Sequence, residues 1–241
     1  MPALVLLHAF PLDRSMWDRE VRALADVASP IVAPSFPGFG NSGLPERQPT
    51  LDDYADAIVA VMDTARIDRA AIAGLSMGGY VAFAMWRRHR SRIERLALID
   101  TKAEADTAEA AQNRHRLAAT VREHGVEALL KTPPKWLRDG SPHWTALKET
   151  IRNQNKEAVA QASIAMAGRP DSTPDLASID VPTAVIVGEA DAITPLANAR
   201  TIHEGIAGSS LSVIPDAGHI ANIEAPEAFD KALRAWLSRS G

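Results

Sequence analysis

The sequence predicts an α/β fold, in which helices cover both faces of a mostly parallel sheet of about six strands. Two observations support this prediction. Short apolar runs alternate with stretches whose apolar residues recur at helical spacing, as in parallel sheets. The length of 241 residues is common for a single α/β domain. Strands are predicted near residues 3–7, 30–34, 70–74, 93–99, 182–187 and 211–214, and helices near 15–26, 51–65, 77–89, 195–206 and 226–238.

The first predicted strand, residues 3–7, is an unbroken apolar run that is typical of a buried parallel strand. The loop after it begins with His8, Ala9 and Phe10. We predict a structural role for His8, as a residue that braces this loop.

The third predicted strand, residues 70–74, runs into the sequence GLSMG at residues 74–78, which fits the pattern GxSxG. A strand, small residues, a serine and a following helix build a sharp turn that exposes the serine hydroxyl. We call residues 74–78 the elbow. Ser76 is predicted to be a nucleophile because such a turn can present its hydroxyl to a base. Gly74 and Gly78 suit the elbow, since larger side chains would crowd the reversal of the chain.

Two later loops contain a candidate acid and a candidate base. Asp191 follows the strand predicted at residues 182–187, and His219 follows the strand predicted at 211–214. Ser76, Asp191 and His219 thus occur in the order nucleophile, acid, base. In this arrangement His219 accepts the proton of Ser76, and Asp191 fixes the tautomer of the imidazole.

Other carboxylates compete for the role of the acid. Asp100 ends the strand predicted at residues 93–99 and is the main rival of Asp191. Glu189 and Asp216 are also close to the predicted site in sequence. Glu189 precedes the apex of its loop, and Asp216 is a residue type that forms turns.

A serine that attacks a carbonyl group also needs hydrogen-bond donors for the oxyanion that develops. The backbone N–H groups of Phe10, after the first strand, and of Met77, at the start of a helix, are predicted to form this oxyanion hole. Because both donors belong to the backbone, their side chains need only permit the geometry.

Residues 101–178 interrupt the alternation of strands and helices, and their leucines and valines recur every three or four positions. This pattern predicts a helical cap inserted into a core of residues 1–100 and 179–241, with its apolar face on the catalytic face of the sheet. Pro133 and Pro134 predict a bend in the cap. The candidates for contact with substrate are Trp136, Trp144 and Met166 from the cap, and Phe10, Ile193 and Ile220 beside the catalytic loops.

These motifs resemble the α/β hydrolase superfamily of esterases and lipases, and most closely compact bacterial carboxylesterases with HGFPLD, GLSMGGY and PDAGH motifs. The resemblance implies an α/β-hydrolase fold with a cap and a Ser-His-Asp mechanism. The matching segments are HAFPLD at residues 8–13, MW at 16–17, PGFGNS at 37–42, GLSMGGY at 74–80, AMAGRPDST at 165–173, GEADAITP at 188–195 and PDAGH at 215–219.

The chain departs from this family at two places. Ala9 stands where such enzymes usually have glycine, and the methyl group would strain the loop if this position needs a positive φ. The sequence also lacks the β-hairpin with which relatives normally begin. The strand at residues 31–33 is therefore expected to form an edge of the sheet, shortened by the flanking Pro30 and Pro34. A dimer that pairs across this edge is an open alternative to a monomer.

Composition bounds the other expectations. The net charge is −4, and the dispersed basic residues give no prediction of nucleic-acid binding. The chain has no cysteine, no histidines at metal-ligand spacing, and no segment resembling a signal peptide or membrane span. We therefore expect a cytoplasmic protein without cofactor or metal, whose partner is a small-molecule ester.

The predicted function is a serine carboxylesterase that cleaves short to medium acyl esters, with uncharged acyl groups favoured by an apolar pocket without an obvious arginine clamp. A lactonase, a C–C bond hydrolase, a prolyl aminopeptidase or a cofactor-free perhydrolase could use the same three residues. A serine at position 76 argues against haloalkane dehalogenases and epoxide hydrolases, which need a carboxylate there. A ligand-binding protein that retains the three residues is the non-enzymatic alternative.

Overall fold

The computed structural model describes residues 1–131 and 135–239 of the chain. Its strands are β1 (Leu4–Leu7), β2 (Ile31–Val32), β3 (Ala70–Leu75), β4 (Ile93–Ile99), β5 (Thr183–Gly188) and β6 (Ser210–Ile214). They form a six-stranded sheet in the order β2-β1-β3-β4-β5-β6, and every neighbouring pair is parallel. The predicted number and direction of the strands are confirmed.

The position of each strand in the sheet explains its composition. The inner strands β1, β3 and β5 are buried at every residue, because layers of helix cover both faces of a parallel sheet. The edge strands β2 and β6 are only partly buried. The two-residue strand β2 lies between Pro30 and Pro34, so it offers little unpaired backbone at this edge.

The described residues form helices at the predicted places, with one notable difference. The helix predicted at residues 15–26 is divided into a 3-10 turn, Arg14–Trp17, and a short α-helix. The side chain of Asp13 causes this start by accepting the N–H of Ser15 at 2.9 Å. Within the described ranges, none of the helices is long and apolar enough to cross a membrane. The α-helices are α1 (Asp18–Ala23), α2 (Leu51–Thr64), α3 (Met77–His89), α4 (Ala108–His124), α5 (Glu127–Lys131), α6 (Trp144–Arg152), α7 (Lys156–Ala167), α8 (Leu196–Gly205), α9 (Ala221–Glu224) and α10 (Pro226–Leu237).

Helices α4 to α7 lie in the chain between β4 and β5, and α4 packs against α7. The side chain of Gln154 joins this insertion to loops that follow β1 and β2: it donates to Asp13 Oδ2 at 2.8 Å and accepts from the N–H of Gly40 at 3.1 Å. The insertion therefore contacts the loops at the carboxyl-terminal ends of β1 and β2. The predicted bend at Pro133 and Pro134 lies outside the described residues, and the division into a core and a cap stays a prediction.

Candidate active site

Ser76 occupies the junction between β3 and α3 with φ 56° and ψ −112°. Such a conformation is costly for a residue with a side chain, by roughly 1 to 3 kcal/mol, and persists only where neighbouring contacts enforce it. Two hydrogen bonds hold the backbone of Ser76. Its N–H donates to the carbonyl of Ile99 at 2.9 Å, and its carbonyl accepts from Thr101 Oγ1 at 2.9 Å. The strand that neighbours β3 thus fixes the strained turn.

The two glycines of the elbow allow backbone segments to approach closely. A Cβ atom on Gly74 would overlap the carbonyl group of Gly78. A Cβ atom on Gly78 would overlap the carbonyl oxygen of Leu7 at the end of β1. The first turn of α3 therefore lies directly against the end of β1, where the loop with Phe10 begins.

His219 lies between Ser76 and Asp191. The distance from His219 Nε2 to Ser76 Oγ is 2.8 Å, and the distance from His219 Nδ1 to Asp191 Oδ2 is 2.9 Å. The three residues are buried, with 1% of His219, 4% of Asp191 and 9% of Ser76 exposed. The structure therefore brings together the three residues that the sequence analysis selected as nucleophile, base and acid.

Thr194 also bonds to Asp191, and this contact was not predicted from the sequence. Thr194 Oγ1 donates to Asp191 Oδ2 at 2.7 Å, while the N–H groups of Ile193 and Thr194 donate to Oδ1 at 2.8 and 2.9 Å. Burial alone would raise the pKa of Asp191, but the hydrogen bond to His219, the charge of His219 and the bonds from Thr194 hold this pKa below its usual value. Asp191 is thus kept ionised beside His219.

Asp100, the rival acid, contacts backbone groups. Its carboxyl oxygens accept the N–H of Gly188 at 2.7 Å and the N–H of Ala221 at 3.4 Å. Burial, and then the charge of Asp191, raise the pKa of Asp100 well above its usual value. Despite the several carboxyl groups nearby, the described residues contain no group of three or more ligand side chains that could hold a metal ion.

Two further carboxylates considered from the sequence, Glu189 and Asp216, form no hydrogen bond to His219 in the described part of the chain. Glu189 is exposed, and Asp216 is exposed in a turn with φ 54°. This positive φ agrees with the prediction that Asp216 forms a turn, because aspartate tolerates that conformation better than most residues.

The loop after β1 carries the predicted oxyanion donor Phe10. Met77, the second predicted donor, is the first residue of α3, where backbone N–H groups have no partner within the helix. Among the described residues, no hydrogen-bond acceptor is found for the N–H of Phe10. Ala9 has no positive φ, so the strain considered for its methyl group does not arise.

His8 holds this loop to the segment after β2. Its Nε2 accepts the N–H of Phe36 at 2.9 Å, and its Nδ1 contacts the carbonyl oxygen of Ala9 at 2.9 Å. Its ring packs against Phe36 and Phe39, with ring centroids 4.5 and 5.2 Å away. Burial lowers the pKa of His8 to about 4, so its imidazole is neutral near pH 7. These contacts agree with the bracing role predicted from the sequence.

The predicted substrate contacts fall into separate groups. The rings of Trp136 and Trp144 lie 6.5 Å apart, and the carbonyl of Trp136 accepts the N–H of Ile220 at 3.1 Å, next to His219. Ile193 belongs to the Asp191 loop and is 38% exposed. Met166 is buried in α7, and its sulfur lies 3.4 Å from a guanidinium nitrogen of Arg114. Of these candidates, Ile220 follows His219 in the chain, and Trp136 is bonded to Ile220 through its backbone carbonyl.

A basic cluster beside Met166 was also missed in the sequence. Asp106 accepts from Arg169 at 2.8 Å, forms an ion pair with Arg114, and lies 3.3 Å from Lys102 Nζ, so three cations surround one carboxylate. The guanidinium of Arg169 also stacks on the ring of Tyr80, 4.2 Å from its centroid. Tyr80 is in the first turns of α3, just after Ser76. Arg169 is distant from Lys102 and Arg114 in the sequence, and the packing of α7 against α4 brings it to them.

Comparisons with known proteins identify the family of the chain. A model of the "Alpha/beta hydrolase family" matches residues 4–232. A solved structure of a thermophilic esterase from Thermogutta terrifontis is 36% identical, covers 98% of this chain and 89% of that chain, and superposes with a TM-score of 0.92. The enol-lactonase from Burkholderia xenovorans is 32% identical, with 99% of this chain and 92% of that chain covered and a TM-score of 0.90.

A curated relative also carries a lactonase name. The 3-oxoadipate enol-lactonase 2 of Acinetobacter baylyi is 28% identical over 244 residues, which cover 99% of this chain and 89% of the relative. Together with the sheet, these matches confirm the fold and the family predicted from the motifs. They include both esterases and lactonases, so they leave the kind of ester unresolved.

Proposed function

Because this chain belongs to the alpha/beta hydrolase family, we propose that it is a serine carboxylesterase acting on small-molecule esters with short to medium, uncharged acyl groups. The observation that carries the proposal is the continuous hydrogen-bonded chain from Ser76 Oγ through His219 to Asp191, at 2.8 and 2.9 Å. The strained backbone of Ser76 and the burial of His219 support it.

In the first half of the proposed reaction, Ser76 Oγ attacks the carbonyl carbon of the ester, and His219 Nε2 takes the proton of the hydroxyl. Asp191 accepts a hydrogen bond from His219 Nδ1–H, which leaves Nε2 free to act as the base. The carbonyl oxygen becomes an oxyanion and accepts hydrogen bonds from the N–H groups of Phe10 and Met77. When the intermediate collapses, His219 returns the proton to the leaving alcohol, and the acyl group stays on Ser76.

In the second half, water replaces the alcohol. His219 Nε2 removes a proton from water as the oxygen attacks the acyl carbon on Ser76. The second tetrahedral intermediate uses the same two N–H groups, and its collapse breaks the bond to Ser76 Oγ, which recovers the proton from His219. One ester and one water thus give one alcohol and one carboxylic acid, and the enzyme is regenerated.

A second candidate function is the hydrolysis of a lactone, a cyclic ester that opens by the same steps. The likeness to enol-lactonases at 32% and 28% identity favours it. The three cations around Asp106, beside Met166, would suit a substrate that carries a carboxylate. A lactone that carries a carboxylate needs a pocket that accepts a negative charge, whereas the proposed ester has an uncharged acyl group.

The test combines a probe with a substrate panel. A fluorophosphonate should label the wild-type protein and leave the Ser76→Ala variant unlabelled, while Ser238→Ala, which changes an exposed serine after α10, should label like the wild type. p-Nitrophenyl esters from acetate to octanoate are then compared with neutral and carboxylate-bearing lactones by kcat/KM.

The outcomes separate the candidates. Hydrolysis of the esters with Ser76-dependent labelling supports the carboxylesterase, and a preference for carboxylate-bearing lactones by 100-fold or more, about 2.7 kcal/mol, supports the lactonase instead. Labelling without turnover of any panel ester contradicts the proposed substrate class. A folded wild-type protein that does not label contradicts the serine hydrolase as a whole and favours a binding protein.

A further inference from the structure

The His219 loop, residues 215–220, has a second support that is independent of Asp191. Glu224, at the end of α9, folds its carboxylate back toward this loop. Its Oε2 accepts the N–H of Gly218 at 2.7 Å, immediately before His219 in the chain. Only 1% of the Glu224 side chain is exposed. A buried carboxylate thus bonds to the backbone beside the proposed base.

The same oxygen of Glu224 reaches across to the insertion. Oε2 also accepts the N–H of Arg138 at 3.1 Å. We call residues 135–138 the Trp136 segment. On the other side of His219, the N–H of Ile220 donates to the carbonyl of Trp136 at 3.1 Å. The residues before and after His219 are therefore both tied to the Trp136 segment, one through Glu224 and one directly.

The close packing at Gly218 shows how tightly these groups meet. A Cβ atom on Gly218 would lie 2.8 Å from Glu224 Oε2 and 2.9 Å from the backbone nitrogen of Arg138. Real Cβ atoms essentially never approach other atoms that closely, so a glycine is needed where the carboxylate bridges the two segments.

The shortest contacts of this carboxylate are hydrogen bonds from backbone N–H groups, at 2.7 and 3.1 Å. The guanidinium of Arg138 is 3.7 Å from Glu224 Oε1, and its side chain is 45% exposed. That separation is longer than a hydrogen bond. Burying a carboxylate is costly unless it is paired or hydrogen-bonded, and two backbone N–H groups supply those bonds.

We propose that Glu224 is a positioning residue that sets the place of His219 against Ser76 and couples it to the Trp136 segment. The inference rests on the proposed serine hydrolase function. Displacing a catalytic group by about 1 Å can lower the rate on the order of 100-fold. Without the carboxylate, Gly218 and Arg138 lose a shared acceptor, and the backbone just before His219 loses its link to the Trp136 segment. Trp136, a candidate for contact with substrate, then shifts with the base.

The experiment compares three changes at Glu224. Glu224→Gln is neutral but has the same length, so its amide oxygen can accept both N–H groups; we expect kcat for p-nitrophenyl acetate within about 3-fold of the wild type. Glu224→Asp keeps the charge but is shorter, and Glu224→Ala removes the acceptor; we expect kcat to fall about 10-fold and 10- to 100-fold, respectively. The rate of fluorophosphonate labelling should fall in the same order, with KM for acetate changing less than kcat.

A control variant and a stability measurement separate positioning from stability. Glu227→Ala removes an exposed glutamate in α10 and should retain the wild-type kcat. A purely structural role would lower the melting temperature while the folded fraction reacts at the wild-type rate.

The proposal is overturned if folded Glu224→Asp and Glu224→Ala keep the wild-type kcat, or if Glu224→Gln loses as much as Glu224→Asp. The Gln and Asp variants decide the question even where Glu224→Ala does not fold. A wild-type protein that fails to label with the fluorophosphonate contradicts the serine hydrolase function instead, so the two failures are distinguishable.

Discussion

The two halves of the candidate site are held by different kinds of contact. On the Ser76 side, backbone packing decides the geometry: the elbow fits against the end of β1 because Gly74 and Gly78 have no side chain. On the His219 side, side chains decide it, since Thr194 orients Asp191 and Glu224 holds the loop. The residues that shape the turn at Ser76 are thus consecutive in the sequence, whereas the side chains that hold Asp191 and the His219 loop come from separate segments.

The largest expected effect tests the His219 side through its acid. Asp191→Asn keeps the shape of the side chain but presents an amide to His219, which favours the wrong imidazole tautomer. We expect kcat for p-nitrophenyl acetate to fall on the order of 10⁴-fold in steady-state assays.

Asp100→Asn is the matched control for the acid. Burial raises the pKa of Asp100, and its carboxyl oxygens bond to backbone N–H groups, so an amide there should cost about 10-fold or less in kcat. Equal losses in the two variants would show that the acid is assigned to the wrong strand end.

This asymmetry also decides how much of the site could be predicted from the sequence. Ser76 could be predicted because GxSxG lies between a strand and a helix, and Asp191 and His219 because each follows a strand in the expected order. Thr194 lies in the segment GEADAITP, but the pattern does not indicate its bond to Asp191, and Glu224 lies in no motif. Their roles depend on where a loop and the insertion fold back, which local patterns do not encode.

The fold shows the same limit. Buried strands such as β3 were predictable because their apolar runs are continuous. The 3-10 turn at Arg14–Trp17 could not be predicted from apolar spacing, because it begins at a hydrogen bond that the Asp13 side chain accepts from Ser15. The cluster of cations around Asp106 could not be predicted either, because Lys102 and Arg169 are brought together only by packing.

The second effect tests the Ser76 side through backbone packing. In Gly78→Ala, the new Cβ atom would overlap the carbonyl oxygen of Leu7, so β1 or α3 must shift. We expect the free energy of unfolding, measured by urea denaturation, to fall by about 3 kcal/mol and fluorophosphonate labelling to slow.

Gly43→Ala is the control, because no atom lies within 4 Å of the place that its Cβ atom would take. Its free energy of unfolding should stay within about 0.5 kcal/mol of the wild type. If Gly78→Ala were equally harmless, close backbone contact would not be what positions the elbow.

The third effect concerns a buried carboxyl group beneath the His219 side. Glu20, in α1, accepts from Asn222 Nδ2 at 3.3 Å, and Asn222 belongs to the helix that follows His219. Burial raises the pKa of Glu20 from 4.5 to about 7, with smaller and opposite effects of Asp230 and Arg19. Between pH 4.5 and about 7, Glu20 keeps its proton in the folded protein but loses it in the unfolded chain. The free energy of unfolding therefore falls as the pH rises to about 7.

Relative to Glu20→Gln, the free energy of unfolding of the wild type should fall by about 2 to 3 kcal/mol between pH 5 and pH 8. Urea denaturation at both pH values measures the difference. Relative to Glu227→Gln, which changes an exposed side chain, the wild type should show no such trend. A difference from Glu20→Gln that does not depend on pH would mean that Glu20 is ionised in the folded protein.

The smallest expected effect tests the His219 side of the site at a single hydroxyl, that of Thr194. Thr194→Val removes the hydrogen bond from Oγ1 to Asp191 Oδ2 but keeps the backbone N–H groups that bond Oδ1. A hydrogen bond to a charged group contributes about 1.5 to 3 kcal/mol, part of which the backbone donors offset, so we expect kcat/KM to fall about 10-fold. Thr201→Val, which removes a hydroxyl bonded within α8, is the control and should leave kcat/KM unchanged. An unchanged kcat/KM for Thr194→Val would mean that backbone groups alone position the acid, and the two halves of the site would then be built alike.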